Sequence, residues 1–207
     1  MKRRVLGILL TAAMMTSMTA ASVMAEDSSF NPDTETDTIA YDKLEEEFGP
    51  LSDLELPEEV SIGGILKNQA NEFWLSLGDG MTAAAEENGA TMDIQATRTE
   101  TDTAGQLSIA ETMLQNNYNA LVLSPLTNEC LDTAVATAKD AGIPIVNANC
   151  EYIADADVFV GGLQIEIGHK AADYIAEKIG EKGKVAILEG VSGTFTSIQR
   201  VNGFNEQ

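Results

Sequence analysis

Residues 120–148, ALVLSPLTNECLDTAVATAKDAGIPIVNA, carry the pattern from which the fold is predicted. The stretch starts with an apolar segment at 120–124, continues with helical spacing over 129–141, and ends with a second apolar segment at 143–148. Short apolar strands that are joined by a helix are typical of a parallel sheet covered on both faces. The stretch therefore predicts a strand–helix–strand unit of an α/β protein.

The same alternation continues on both sides of this unit. We predict further strands over residues 60–66, 91–97, 158–162 and 184–188, and helices over residues 71–88, 102–117, 165–179 and from residue 196 onward. Right-handed crossovers between parallel strands give doubly wound sheets. Ligands bind beyond the carboxyl ends of the strands in such sheets, so functional residues are expected within 67–74, 97–102, 124–128, 147–152 and 190–198.

Composition argues against several classes of function. The 207 residues carry a formal net charge of −21, which leaves no surplus of cations for nucleic acid. One histidine and two cysteines supply too few ligands for a zinc site, and His169 is expected on a solvated helix face. The first strand is not followed by G-x-G-x-x-G, and the glycine-bearing loop 190–194 lacks the lysine of a P-loop. With no acid–base or nucleophile constellation, the sequence predicts neither an enzyme nor a cofactor or metal site.

The N-terminal residues predict export from the cytoplasm. Residues 1–25 combine a basic start, an apolar run and a small-residue site for cleavage after Ala25, which is typical of a secretory signal peptide. No cysteine stands near that site, so we expect no lipid anchor and a periplasmic or extracellular location. Residues 26–57 form a strongly acidic leader that we expect to be mostly disordered, with one short helix over 42–48; an acidic docking tail is the alternative.

Residues that follow the strands suggest a sugar site. Asn71, Phe73 and Trp74 follow the first strand, and Asn147 and Asn149 end a later one. Aromatic rings cover the apolar faces of a sugar, while amides both donate to and accept from its hydroxyls. Phe73 and Trp74 could equally be core residues of their helix. Of the two later asparagines, we expect only Asn149 to reach a ligand.

Six segments together resemble the periplasmic sugar-binding proteins of the ribose-binding type. Residues 71–74 (NEFW) are similar to the family's N-P-F-F signature, and residues 102–107 (DTAGQL) to its D-x-A-x-Q-x segment. The remaining segments are residues 123–125 (LSP), 141–146 (AGIPIV), 182–190 (KGKVAILEG), and Arg200 with Gly203 and Phe204. They occur in the family's order from residue 60 to residue 204.

The resemblance implies two α/β lobes of the type I periplasmic binding fold, with a monosaccharide in the cleft between them. It implies a first lobe over residues 58–161, and a hinge with the start of a second lobe over 162–207, with Leu163 and Gln164 as the hinge pair. We expect a C-terminally truncated chain with an incomplete second lobe. Delivery of the ligand to an ABC importer permease by a monomer is the expected function. A sensory binding protein that reports to a chemoreceptor or histidine kinase is the alternative.

The resemblance also implies ligand contacts at Asn71, Phe73 and Trp74. Four further positions carry residues that differ from those usual in the family. Lys67 replaces a small polar contact, Asn149 an aspartate, Cys150 an arginine, and Ile198 a second-lobe arginine. These changes make ribose itself doubtful and favour another sugar, a polyol or a more apolar small molecule.

Two questions about individual residues stay open from the sequence. Lys67 could restore one hydrogen-bond donor, suit an anionic ligand, or be a surface lysine. Cys130 and Cys150 follow neighbouring strands, and an extracytoplasmic location permits a disulfide between them without requiring it.

Overall fold

Apolar runs of the chain pair into one parallel sheet. Its strands are β1 (Val60–Leu66), β2 (Ala90–Ala96), β3 (Ala120–Leu123), β4 (Ile145–Ala148) and β5 (Val158–Val160), in the spatial order β2-β1-β3-β4-β5. Every neighbouring pair is parallel. The computed structural model describes residues 39–50, 56–149 and 151–207. The predicted signal peptide, parts of the acidic leader and Cys150 lie outside these residues.

Helices follow the strands as the sequence pattern predicts. A 3₁₀ turn (Tyr41–Lys43) and α1 (Leu44–Phe48) precede the sheet, and the longer helices are α2 (Glu72–Glu87), α3 (Thr103–Met113), α4 (Asp132–Asp140), α5 (Gln164–Ile179) and α6 (Phe195–Glu206). Asp102 caps α3 by accepting a hydrogen bond from the backbone N–H of Gly105. Gly180, with φ of 67°, ends α5 in the left-handed conformation that glycine favours. Within the described part of the chain, no helix has both the length and the apolarity to span a bilayer.

The sheet is covered on both faces. Ile65 of β1 packs into a core with Leu121, Leu123 and Ile145 and with residues of α3 and α4. The next residue, Leu66, belongs to a separate cluster, which it forms with Trp74 of α2 and with residues of β2. Successive side chains of a strand point to opposite faces, so helices lie on both sides of the sheet. The predicted α/β class with a doubly wound parallel sheet is confirmed.

The strand predicted over residues 184–188 does not form. This segment forms neither a helix nor a strand, and Val185, Ile187 and Leu188 are exposed, Leu188 to 97%. An apolar run becomes a strand only where a neighbouring chain segment pairs with its N–H and C=O groups. No such segment lies beside it among the described residues.

Helices α5 and α6 pack backbone against backbone through two glycines. A Cβ added to Gly203 would overlap the backbone oxygen of Ile165, and one added to Gly168 would overlap that of Arg200. The close approach therefore requires glycine at both positions, since backbone atoms cannot give way as a flexible side chain can. The contact fixes α6, whose residues take part in the site described below.

Replacing Gly203 tests this packing. Gly203→Ala should lower the free energy of unfolding by about 1–3 kcal/mol, because the new methyl group forces the two helices apart. The matched control is Gly80→Ala in α2, where an added Cβ meets nothing within 4 Å. The control should raise the free energy of unfolding by up to about 1 kcal/mol through helix propensity. Equal urea midpoints for the two variants would contradict the described contact.

Candidate functional site

The carboxyl edge of the sheet is lined by buried polar side chains. Lys67 follows β1, Thr97 follows β2, Ser124 follows β3, Asn147 lies in β4, and Glu151 comes soon after it. Each of the five is at most 4% exposed. Buried polar groups normally have hydrogen-bond partners, so the partners of these side chains define the architecture of the edge.

Lys67 and Glu151 form a buried ion pair. The Lys67 ammonium donates to Oε2 of Glu151, and the two side chains are 5% and 1% exposed. The same ammonium lies 5.9 Å from the centroid of the Trp74 ring, within the range of a cation–π contact. The other carboxylate oxygen, Oε1 of Glu151, is buried and has no hydrogen-bond partner among the described residues. The carboxylate therefore acts chiefly on Lys67.

Asn147 holds the segment that carries Glu151. Its amide nitrogen donates to the backbone oxygens of Leu123 at 3.2 Å and of Glu151 at 3.1 Å. Its side-chain oxygen accepts from the backbone N–H of Ile153 at 2.8 Å. The Asn147 amide thus serves the backbone rather than a ligand, which agrees with the expectation from the sequence.

Gln106 of α3 joins the ends of β1 and β3. Its amide nitrogen lies 3.4 Å from the backbone oxygen of Leu66 and 3.0 Å from that of Ser124, and donates to both. Its oxygen accepts from the backbone N–H of Leu126 at 2.8 Å and from the Cys130 thiol at 3.3 Å. Gln106 is fully buried, so one side chain satisfies backbone groups that would otherwise be unpaired at the edge.

Trp74 has both a core face and a polar edge. Its side chain is 4% exposed and packs on Leu66, while its indole N–H donates to Oε1 of Glu100 at 3.1 Å. Phe73 meets the Trp74 ring edge-to-face at a centroid distance of 4.9 Å, but Phe73 itself is 52% exposed. Of the two alternatives that the sequence leaves open, packing in the core therefore applies to Trp74 and not to Phe73, because adjacent residues on a helix point in different directions.

A cavity of about 380 Å³ lies between the carboxyl edge and the segment that leads into α6. On the sheet side it is lined by Lys67, Trp74 and Glu100. The opposite wall comes from residues 187–201, with Glu189, Thr194, Thr196, Ser197 and Arg200 as its polar members. A space of this volume, with apolar walls and a few polar groups, is typical of a small-molecule site.

Arg200 links the far wall of the cavity to the predicted hinge. Its Nε donates to Oε1 of Gln164 at 2.8 Å, and the Gln164 amide donates to the backbone oxygen of Gly162 at 2.8 Å. Gln164 is 1% exposed at the start of α5. The guanidinium is therefore held at the point where the chain passes from β5 to α5.

Of the predicted site residues that the structure describes, only Lys67 and Trp74 line the cavity. Asn71 is exposed and its side-chain oxygen caps α2 by accepting from the N–H of Phe73 at 2.9 Å. Asn149 has a φ of 55° and donates its backbone N–H to Val160, and Ile198 is 48% exposed on α6. Phe73, Asn71, Asn149 and Ile198 are not among the cavity-lining residues. Their ligand contacts, and that of Cys150 outside the described residues, stay predictions.

Several other residues in or next to the cavity do not stand out in the sequence as site residues. Glu100, Glu151, Thr194 and Ser197 lie in the post-strand segments where a doubly wound sheet binds ligands, so that rule contained the signal. Arg200 stands out in the sequence only as part of the family segment. Residue type alone could not indicate that Glu151, 84 residues after Lys67 in the chain, is its partner.

The described residues contain no group of three or more His, Cys, Asp or Glu side chains able to hold a metal ion. His169 is half-buried rather than fully solvated, and its Nε2 lies 3.4 Å from Oε2 of Glu206 on α6. Cys130 forms no disulfide within the part of the chain that the structure describes. The sequence left its pairing open, and the other cysteine lies outside the described residues.

Comparison with known proteins agrees with this architecture. The periplasmic binding protein domain family matches residues 62–207. A D-ribose/D-allose-binding protein of Pseudomonas aeruginosa is 33% identical over 77% of this chain and 53% of its own length. A D-allose-binding periplasmic protein of Escherichia coli is 32% identical over 69% of this chain and 49% of its own length. A solved ABC transporter periplasmic solute binding protein from Actinobacillus succinogenes, with bound D-allose, has a TM-score of 0.67 and 27% identity, and covers 71% of this chain and 54% of its own.

The chain therefore belongs to the periplasmic binding protein domain family. The predicted resemblance to sugar-binding proteins of the ribose type is confirmed. The chain spans about half the length of the curated relatives that it matches.

Gln106 provides a test of how the edge is built. Gln106→Leu leaves buried backbone groups at Ser124 and Leu126 unpaired, so the free energy of unfolding should fall by about 1–3 kcal/mol for each group. The control is Gln115→Leu, at an exposed position just after α3, which should change it by less than about 0.5 kcal/mol. Denaturant unfolding followed by circular dichroism measures both. A Gln106→Leu variant as stable as its control would show that these bonds do not hold the edge.

Proposed function

We propose that the protein is an extracytoplasmic solute-binding protein that captures a monosaccharide or a similar small polar ligand. The observation that carries the proposal is the cavity of about 380 Å³ between the carboxyl edge of the sheet and the start of α6. Its position is the one at which doubly wound sheets bind ligands. Its volume suits a single sugar ring, since ligand sites start at about 300 Å³.

The cavity lining has the chemistry that a sugar requires. Trp74 offers an aromatic surface for ring C–H groups, and Val191 and Val201 add apolar wall. Glu100 and Glu189 accept hydrogen bonds from hydroxyls, and Arg200 donates several in a fixed fork. Relatives named for ribose and allose support a sugar rather than an unrelated small molecule.

The charged groups stand at other positions than those expected from the family pattern. Arg200 offers a guanidinium on the far wall although Ile198 replaces the second-lobe arginine. Lys67 and Glu151 bring a cation and a carboxylate to the sheet edge, where Asn149 and Cys150 replace the family's aspartate and arginine. A changed arrangement of donors and acceptors favours a ligand whose hydroxyls differ in position from those of ribose.

Export and delivery complete the proposal. Residues 1–25 direct the chain out of the cytoplasm, and cleavage without a lipid anchor leaves the protein periplasmic or extracellular. The loaded protein, a monomer, then docks on the permease of an ABC importer. The bond between Arg200 and Gln164 lies at the hinge, so a ligand held by Arg200 favours closure of the second part of the chain on the first.

The single tryptophan of the chain permits a direct test. The mature protein is titrated with D-allose, D-ribose, other aldoses and polyols while Trp74 fluorescence and melting temperature are followed together. We expect saturable changes with at least one sugar. Arg200→Gln should weaken that binding by about tenfold or more, the loss expected for a charge-assisted hydrogen bond.

The matched control is Arg98→Gln, since Arg98 is exposed and is not among the residues that line the cavity. It should bind the same sugar as the unmodified protein does. A folded protein that responds to no sugar or polyol would contradict the proposed function.

A further inference from the structure

We propose that Lys67 and Glu151 form a charge-compensated donor that selects an uncharged ligand over its carboxylated or phosphorylated analogue. Lys67 is the ligand contact, and Glu151 is a positioning residue that acts through it. The inference rests on the proposed function and names the substrate class of the same cavity. The sequence leaves open whether Lys67 suits an anionic ligand, and the ion pair with Glu151 indicates that it does not.

The geometry separates the roles of the two side chains. Lys67 lines the cavity, whereas Glu151 is 1% exposed and lies behind it. The ammonium carries three N–H groups, of which one is directed to Glu151. The remaining N–H groups can donate to a ligand oxygen, while the ring of Trp74 limits where the ammonium can move. A ligand therefore meets a donor that is fixed in position.

The surroundings of the second Glu151 carboxylate oxygen, Oε1, determine how strongly the Lys67 charge is compensated. Oε1 of Glu151 has no hydrogen-bond partner among the described residues. The negative charge is thus not shared with other donors, and in a buried setting it acts on the nearby ammonium with little screening by water. Lys67 keeps its N–H groups but offers little net positive charge to an incoming anion.

The other charged side chains of the cavity also disfavour an anionic ligand. Glu100 and Glu189 line it together with one further cation, Arg200. With Glu151 behind Lys67, three carboxylates and two cations of the described residues surround the ligand position. An anionic ligand would lose hydration without meeting a net positive charge, whereas a neutral polyhydroxyl ligand can use every donor and acceptor.

The test compares matched neutral and anionic sugars. The probes are D-ribose with D-ribose 5-phosphate, D-glucose with D-glucuronate, and D-galactose with D-galacturonate, measured by calorimetry and by competition on the mature protein. Wherever the neutral member binds, it should bind at least about tenfold more tightly than the anionic member. The selectivity ratio is the affinity for the neutral sugar divided by the affinity for its anionic partner. Glu151→Gln should reduce this ratio by at least about tenfold, because it leaves the lysine charge uncompensated.

Two further variants keep the proposal testable if Glu151→Gln does not fold. Lys67→Gln leaves a buried carboxylate behind the cavity and should increase the ratio. Lys67→Gln with Glu151→Gln removes both charges and should keep a preference for the neutral sugar. Glu111→Gln, at an exposed position of α3, is the matched control and should leave the ratio unchanged.

The outcomes separate this inference from the proposed function. A protein that binds a neutral sugar, but whose ratio is the same in the unmodified, Glu151→Gln and Lys67→Gln forms, would overturn the inference and leave the function standing. Tighter binding of the anionic members by the unmodified protein would also overturn it. A folded protein that binds none of the six probes and no sugar of the wider panel would contradict the proposed function itself.

Discussion

The buried ion pair between Lys67 and Glu151 is the constraint on which the site depends. Removing two charges from water costs several kcal/mol per ion unless they meet in good geometry. The fold meets this requirement by bringing the end of β1 to the segment after β4, where Asn147 holds the backbone of Glu151. Lys67 also lies by the ring of Trp74, so the pair fixes Lys67 at the place where it lines the cavity.

The carboxyl edge of the sheet next to the cavity is held together by side chains that satisfy backbone groups. Gln106 donates to backbone oxygens at the ends of β1 and β3, and Ser124 donates its hydroxyl to the backbone oxygen of Ala148. The opposite wall is attached separately, through the Arg200–Gln164 bond and the glycine contact of α5 with α6. The two walls of the cavity are thus held by different contacts, which is compatible with the hinge closure proposed above.

Much of the fold could be predicted from the sequence because its elements are local and strongly patterned. The bounds of β1 agree with the prediction, and Asp102 begins α3 as an N-cap residue should. The strand predicted for the apolar run at 184–188 is wrong because strand formation depends on a neighbouring segment that the run itself does not reveal. The place of the site followed from topology, but its charge pairing did not, since Lys67 and Glu151 meet only through the folded sheet. Asn71 shows the same limit, because an asparagine after a strand suits a helix cap as well as a sugar contact.

A crystal structure of the mature protein with a saturating neutral aldose, D-allose first, tests the central claim most directly. The account predicts a sugar ring between Trp74 and Arg200, with Nζ of Lys67 within hydrogen-bond distance of a hydroxyl and Glu151 behind the lysine. A sugar bound away from this cavity, or in it without contact to Lys67, would contradict the account.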